Sequence, residues 1–214
     1  MKVLGVSCSP RRNHSTDLLV RETLAGVTGA ETEFVSLAGL TIGGCIACLG
    51  CVKDNVCKVK DDMQGLRQKI VEADAYVIGA PNYYSMINGL GHCFLERFYQ
   101  FRHLGGDGVS GKLGIAIAVG SRSGNPVIEN IKTFFKYNQI ECVGDVSAQG
   151  AASCFSCGCG EDCKVGAIHM SFGAGTKITP EITPDLSKQP DKMEKARQLG
   201  YELSARLKKS NPVK

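Results

Sequence analysis

Apolar runs and amphipathic stretches alternate along the chain, and this alternation predicts its secondary structure. Residues 2–7 (KVLGVS) form the first of five predicted strands and read as buried, and helical stretches with apolar positions three and four residues apart lie between the strands. The other predicted strands are Glu33–Leu37, Ala75–Ala80, Leu113–Val119 and Ile140–Val146. Strands that are apolar on both faces and alternate with helices indicate a parallel sheet covered on both sides. We therefore predict an α/β fold with a doubly wound five-stranded parallel sheet.

Two long segments interrupt this alternation. Residues 38–60 follow the second strand, and residues 149–190 precede a last helix predicted over Asp191–Lys208. Both segments are rich in cysteine and glycine. We predict one domain over residues 1–214 that carries these two segments as insertions. An irregular segment of about forty residues inside a compact domain is usually functional or held by a metal.

The cysteine content is the main departure from an ordinary globular composition. The chain has 214 residues and 11 cysteines, with 43% hydrophobic and 21% charged residues. It starts without a signal-peptide pattern and has no stretch apolar enough to span a membrane, so we expect a cytoplasmic protein. Thiols stay reduced there, and clustered cysteines are then more typical of metal or redox sites than of disulfides. A net charge of +4 without long runs of one sign predicts neither a nucleic-acid partner nor a membrane surface.

The loop after the first strand carries polar groups that suit a phosphate. Ligands of an open α/β sheet bind at the carboxyl ends of its strands. Hydroxyl, amide and guanidinium groups, with free N–H groups at the start of the first helix, can enclose a phosphate monoester there. The residues with this predicted role are Ser9, Arg11, Asn13, Ser15 and Thr16. The alternative is that Ser15 or Thr16 only caps the helix and that the arginines are solvated.

The loops after the third and fourth strands suit a planar ring. One supplies aromatic and amide side chains and the other a flexible backbone, so together they can hold a heterocycle across the sheet edge, near Tyr83 or Tyr84. The predicted contacts are Pro81, Asn82, Tyr83, Tyr84, Ser85, Met86, Gly120, Ser121, Arg122, Ser123 and Gly124. The sequence argues for no Ser-His-Asp set or carboxylate pair, so we predict no catalytic side chain. This suits a protein whose cofactor carries the chemistry.

Together these loops resemble those of the flavodoxin-like, NAD(P)H-dependent FMN reductase superfamily. The resemblance rests on S-x-S-P-R after the first strand, on A-P-x-Y-Y before a helix, and on the Gly/Ser loop after the fourth strand. It covers about residues 1–148 and the last helix. It implies a flavodoxin-like fold that binds FMN, with the first loop on the phosphate and the other two on the isoalloxazine ring.

The first cysteine-rich segment, residues 38–60, has the spacing of a cluster site. Cys45, Cys48, Cys51 and Cys57 are arranged as C-x2-C-x2-C-x5-C. Four thiolates at this spacing can bind the corners of a [4Fe–4S] cubane, and the glycines nearby let the backbone wrap closely. Zinc bound by four cysteines usually uses two C-x2-C pairs separated by a longer loop, so zinc is the weaker alternative. Unliganded thiols are the third.

An insertion of this kind after the second strand is similar to that of the iron–sulfur flavoproteins, a branch of the same superfamily. This resemblance implies an oligomer built from dimers, in which each cluster approaches the FMN of a neighbouring subunit. It also implies electron transfer between a one-electron carrier such as ferredoxin, the cluster and the flavin. The two cofactors suit each other, because a cluster moves single electrons whereas a flavin can hold one or two.

The second cysteine-rich segment contains a run that resembles a bacterial ferredoxin motif. Cys154, Cys157, Cys159 and Cys163 are arranged as C-x2-C-x-C-x3-C, one residue short of that motif, and Lys164 stands in place of its proline. A second metal site, either iron–sulfur or zinc, would explain how so irregular a segment becomes ordered. A redox-active disulfide and reduced structural thiols are the alternatives, and the C-x-C pair suits a single cubane poorly.

The sequence therefore predicts an iron–sulfur flavoprotein, an FMN-dependent oxidoreductase. Electrons would pass from a ferredoxin-like donor or NAD(P)H, through a [4Fe–4S] cluster and FMN, to a small acceptor. We expect a homodimer or a dimer of dimers. Two alternatives stay open: an NAD(P)H-dependent FMN or quinone reductase whose metal is only structural, and a redox carrier or sensor that turns over no substrate of its own.

Overall fold

The computed structural model describes residues 1–210, which form a parallel sheet between two layers of helices. Five strands run parallel in the order β2-β1-β3-β5-β6, and β4 pairs antiparallel with the end of β3. The strands are β1 (Lys2–Ser7), β2 (Glu31–Ser36), β3 (Ala75–Tyr83), β4 (Met86–Ile87), β5 (Leu113–Gly120) and β6 (Glu141–Gln149). The predicted doubly wound, five-stranded parallel sheet is thus confirmed, with one short antiparallel strand added.

Helices cover the two faces of this sheet. They are α1 (Ser15–Ala25), α2 (Met63–Glu72), α3 (Gly89–Glu96), α4 (Asn125–Tyr137), α5 (Ala167–Phe172) and α6 (Pro190–Ser210). Buried side chains of α1 and α6 pack on one face, and those of α2, α3 and α4 pack on the other. Strands such as β5, in which all eight residues are buried, lie between these two apolar layers. This burial on both faces is the main source of stability in such a fold.

Several element boundaries differ from the sequence prediction. β3 continues to Tyr83 because Asn82 and Tyr83 pair with Ile87 and Met86 across a tight turn, so the predicted loop after this strand is largely a hairpin. β6 continues to Gln149. The second cysteine-rich segment is less irregular than predicted, since it contains α5. Among residues 1–210, no helix combines the length and the apolar character that a membrane crossing requires.

Candidate functional site

The order of the strands brings the predicted ligand loops to one edge of the sheet. β1 is flanked by β2 and β3, and the chain crosses over β1 between those strands, which creates a switch in the direction of winding. The loop after β1 therefore faces the loops that follow β3 and β5. Gly150 joins them at the end of β6: its N–H donates to the Gly120 carbonyl at 3.1 Å, and a Cβ placed on it would lie 3.1 Å from Ser15 Oγ.

The start of α1 is open for an anion. His14 occupies the cap position without a side-chain hydrogen bond to the first turn, so the alternative that Ser15 or Thr16 caps this helix is wrong. The first N–H groups of a helix carry partial positive charge and bind phosphate when no cap occupies them. The buried Ser9 hydroxyl fixes the backbone of the loop that leads into α1. It accepts from the Arg11 N–H at 3.1 Å and donates to the Arg11 carbonyl at 3.0 Å.

A carboxylate that the sequence analysis missed fixes the shape of this loop. Asp17 is buried and accepts from the Ser7 hydroxyl at 2.6 Å and from the Asn13 N–H at 2.8 Å. The second bond holds Asn13 in the left-handed region, at φ 57°. An acidic residue in the first turn of a helix was the available signal. Of the five residues predicted for the phosphate, Ser9 and Thr16 are buried, Arg11 and Ser15 are partly buried, and Asn13 is exposed.

The ring-side loops are joined by side-chain to backbone hydrogen bonds. Asn82 Nδ2 donates to the Ser123 carbonyl at 2.6 Å, and the Gly124 N–H donates to Ser147 Oγ at 3.0 Å. These bonds close the loop after β5 over the ends of β3 and β6. Arg122 reaches away from it to the Met170 carbonyl, at 3.3 Å.

The turn between β3 and β4 stores backbone strain beside these loops. Tyr84 and Ser85 have φ values of 54° and 62°, in a two-residue turn that asparagine and glycine normally occupy. Each such residue costs of order 1–3 kcal/mol, and strain of this kind clusters at functional sites. The Tyr84 side chain is 97% exposed, and its neighbours Tyr83 and Met86 are also exposed. The turn therefore presents apolar side chains at the rim of the sheet edge.

A buried carbonyl oxygen at this edge suits a ligand with a hydrogen-bond donor. Oδ1 of Asn82 is buried and lacks a partner among the described residues. Buried polar atoms without a partner are rare and costly in a folded protein. The ring N–H of an isoalloxazine is a donor of the kind that this oxygen lacks, so Asn82 fits a flavin.

The Cys8 thiol is not a reactive group of this site. It is fully buried behind the phosphate loop, and burial raises its pKa to about 12. The Asn88 side chain, from α3's cap position, donates to the Cys8 carbonyl at 2.8 Å. Cys8 is therefore a small packing residue.

The first cysteine loop (residues 38–60) brings its four predicted ligands to one place. Cys45, Cys48, Cys51 and Cys57 line a shared cavity, which we call the thiol cavity. Burial raises the pKa of the Cys51 thiol, and the charges of the other three thiols add to that rise. Ala47 and Leu49 have φ values of 50° and 55°, so the backbone between the cysteines is tightly coiled.

A buried ion pair holds this loop against the helices. Arg97, at the end of α3, pairs with Asp61, and their side chains are 0% and 8% exposed. The guanidinium also donates to the Gly43 carbonyl at 3.1 Å, and it lies against the Cys57 thiol. Sequence analysis missed Arg97, although a charged residue within the apolar run around Phe98 was a usable signal.

An unpartnered donor lies at the wall of the thiol cavity. Among residues 1–210, no group of three or more His, Cys, Asp or Glu side chains is arranged to hold a metal ion. Arg97 Nε, at the cavity wall, is a buried donor without a partner among the described residues, and cluster sulfides accept such hydrogen bonds.

The second cysteine loop (residues 149–190) lies at the same edge of the sheet. Arg11 donates to the Ala151 carbonyl at 3.1 Å, which ties the start of this loop to the predicted phosphate site. Cys154 and Cys163 are partly buried, whereas Cys157 and Cys159 are exposed, and no disulfide joins any of the 11 cysteines. The disulfide alternative is therefore not the state of this structure.

Comparison with known proteins gives a consistent family assignment. The family model for NADPH-dependent FMN reductase matches residues 1–151. The iron–sulfur flavoprotein MJ1083 of Methanocaldococcus jannaschii is 37% identical over 150 residues, which cover 68% of this chain and 77% of that protein. The family match takes in the first cysteine loop and the predicted flavin loops.

Solved structures show the same fold at low sequence identity. RosB with a bound 8-demethyl-8-formylriboflavin-5'-phosphate intermediate superposes with a TM-score of 0.67 at 17% identity, covering 99% of this chain and 81% of that one. A flavodoxin from the domain Archaea superposes with a TM-score of 0.53 at 13% identity, covering 97% and 99%. These similarities establish the flavodoxin-like fold.

Proposed function

This chain belongs to the NADPH-dependent FMN reductase family, as one of its iron–sulfur flavoproteins, and from that premise we propose that it transfers electrons between a one-electron donor, a [4Fe–4S] cluster and FMN. As a member of this family it is an FMN-dependent oxidoreductase. The further steps of the proposal are a ferredoxin-like donor, with NAD(P)H as the alternative donor, and a small-molecule acceptor. The observation that carries the proposal is that the four thiols of the first cysteine loop line one cavity.

The flavin part of the proposal assigns a role to each loop. The N–H groups at the start of α1, with Ser9, Ser15 and Thr16, would bind the phosphate, and Arg11 would add positive charge. The loops after β3 and β5 would hold the ring, with the unpartnered Asn82 Oδ1 accepting a hydrogen bond from it. When bound, the two cofactors join one-electron to two-electron chemistry, while the chain positions them and excludes water.

The cluster part of the proposal places the cubane on Cys45, Cys48, Cys51 and Cys57. The backbone of the loop is anchored beside two of these residues: the Cys45 N–H donates to Glu96 at 3.0 Å, and the Cys57 N–H donates to Gln100 at 3.1 Å. Arg97 would donate a hydrogen bond to the bound cluster. Reduced thiols are needed for this site, so the proposal includes the cytoplasm as its compartment, in keeping with 11 free cysteines.

The proposal is tested by analysing protein purified without exposure to air. We expect about one FMN per chain, and we expect Cys51→Ser to lower the iron and sulfide content by about four atoms each, because one cubane is lost. The Cys142→Ser variant is the matched control, since that thiol lies in β6, outside both cysteine loops, and its hydrogen bond is to the Gly144 carbonyl, at 3.6 Å. Stopped-flow reduction by ferredoxin and by NAD(P)H then identifies the donor.

The outcomes separate the alternatives. Zinc in place of iron at the four cysteines would contradict the cluster and favour a reductase with a structural metal. Reduction of the flavin in Cys51→Ser at the wild-type rate by ferredoxin would show that the cluster is not on the electron path. Electron exchange with ferredoxin, without turnover of a quinone, peroxide or oxygen, would favour a redox carrier that has no substrate of its own.

A groove beside the flavin loops supports an oligomer. It is a cavity of about 1040 Å³ between α3 and α4, and it runs from Tyr83 and Met86 at the sheet edge to Tyr99. Tyr99 lines both this groove and the thiol cavity. Its wall exposes Tyr99 and Tyr137, and exposed apolar surface of this extent marks an interaction site. We propose that a second copy of the chain covers it.

The oligomer predicts a specific change in mass. Sedimentation of the wild-type holoprotein is expected to give a dimer or a tetramer, and Tyr137→Glu is expected to shift it to monomer, because a charge in the groove is costly to bury. Val165→Glu changes an apolar side chain that is 85% exposed outside the groove, and it should leave the mass unchanged. A monomeric wild type, or equal effects of the two variants, would contradict this assignment.

A further inference from the structure

The second cysteine loop lies almost entirely outside the matched family region, which ends at residue 151. Its four cysteines contain a spacing already present in the first loop. Cys154, Cys157 and Cys163 give C-x2-C-x5-C, which is the spacing of Cys48, Cys51 and Cys57. In this arrangement Cys159 is not a ligand. The ligand set then no longer contains the C-x-C pair, which suits a cubane poorly.

The structure groups the same three cysteines. Cys154 Sγ accepts a hydrogen bond from the Ala167 N–H at 3.2 Å, and a Cβ placed on the adjacent Gly166 would lie 3.2 Å from Cys163 Sγ. Cys157 Sγ lies 3.7 Å from the Cys154 carbonyl oxygen. Cys154 and Cys163 thus lie against Gly166 and Ala167 at the start of α5, and Cys157 lies against the backbone of Cys154. Cys159 is separated from Cys157 by a turn at Gly158, with φ 80°, and both of these thiols are exposed.

The backbone of this loop wraps as closely as a ligand-binding loop requires. A Cβ on Gly160 would lie 1.9 Å from the Cys154 carbonyl oxygen, so no other residue fits there without moving the chain. The loop achieves this with little hydrophobic burial, since its buried apolar side chains are Ile168 and Leu186. A metal centre would supply the missing stabilisation, because binding energy at such a site is folding energy.

We propose that Cys154, Cys157 and Cys163 bind a second [4Fe–4S] cluster, one iron of which has no cysteine ligand. The three thiols are free, and they lie within one stretch of ten residues that runs from Cys154 to Cys163. The N–H donor to Cys154 Sγ would stabilise the thiolate, as hydrogen bonds to cluster sulfurs do. Cys159 is not a ligand of this cluster.

Two hydrogen bonds attach this site to the loops predicted to bind the flavin. Ala151, three residues before Cys154, accepts from Arg11 of the phosphate loop at 3.1 Å, and Met170, in α5, accepts from Arg122 of the ring-side loop at 3.3 Å. Phe155 and Ala167 share a cavity of about 470 Å³ with Ser121 and Arg122. The second cluster would therefore stand beside the flavin, on a different part of the sheet edge from the first cysteine loop.

The test is a set of cysteine-to-serine variants of the whole chain, prepared without air. Each of Cys154→Ser, Cys157→Ser and Cys163→Ser is expected to lower the iron content from about eight to about four atoms per chain. Cys159→Ser is the matched control from the same loop and should keep all the iron. Cys51→Ser reports on the first cluster separately, so the failure of one assignment does not hide the other.

Two results would overturn the second cluster. One is an iron content that the three variants leave unchanged or that Cys159→Ser lowers equally. The other applies even where the variants do not fold: wild-type protein with about four irons per FMN, all of them lost in Cys51→Ser, has no second cubane. Zinc bound at the second loop would also overturn the second cluster, because zinc has a single accessible oxidation state and cannot transfer electrons.

Discussion

Replacing Arg97 by methionine is expected to lower the free energy of unfolding by about 3–5 kcal/mol, because Asp61 then becomes an uncompensated charge in a buried site. The change also removes the donors to the carbonyls of Gly43 and Val59, which lie on either side of the four cysteines. Both ends of the thiol cavity would lose their attachment to the helix. We therefore expect iron to be lost as well, measured per chain alongside urea unfolding of anaerobic protein.

Two controls separate the buried charge from a general loss of packing. The double variant Arg97→Met with Asp61→Leu removes both charges and is expected to unfold at higher urea than the single variant. Lys2→Met breaks the exposed pair with Glu72, whose side chains are 48% and 42% exposed, and should change the free energy of unfolding by less than about 1 kcal/mol. An Arg97→Met protein with wild-type stability and full iron would show that the pair does not hold the loop.

The features that the sequence predicted are those with a local signal. Each buried strand is a short apolar run, and the loop after β1 collects its hydroxyls within eight residues of one another. The spacing of Cys45, Cys48, Cys51 and Cys57 is also local, and the structure places these four thiols in one cavity. Pattern reasoning succeeds here because each pattern and the group that it builds occupy the same stretch of chain.

The features that the sequence did not predict depend on residues far apart in the chain. Arg97 and Asp61 are 36 residues apart, and Arg11 reaches a carbonyl 140 residues away. No periodicity predicts which carbonyl a long side chain will meet. The tight turn at Tyr84 and Ser85 was missed for a different reason, since these residues are poor formers of such a turn and local propensity argues against it.

The second large effect is expected from Gly120→Ala, at the end of β5. A Cβ there would lie 2.3 Å from the Ser123 carbonyl oxygen, so the loop of residues 120–124 must move. That movement would break the bond from Asn82 to Ser123 and the bond from Gly150 to Gly120. If two hydrogen bonds of about 1 kcal/mol each are lost at the ring site, the Kd for FMN rises about 10- to 100-fold. Quenching of flavin fluorescence on titration with the apoprotein measures this change.

Gly65→Ala is the matched control, because it makes the same chemical change in the exposed first turn of α2, where nothing lies within 4 Å of the new Cβ. It should leave FMN affinity unchanged and raise the free energy of unfolding by about 0.5–1 kcal/mol, since alanine loses less backbone entropy in a helix. Unchanged FMN affinity in Gly120→Ala would place the ring away from the loop after β5. A parallel loss of FMN and of stability in both variants would instead point to a general effect of the added methyl group.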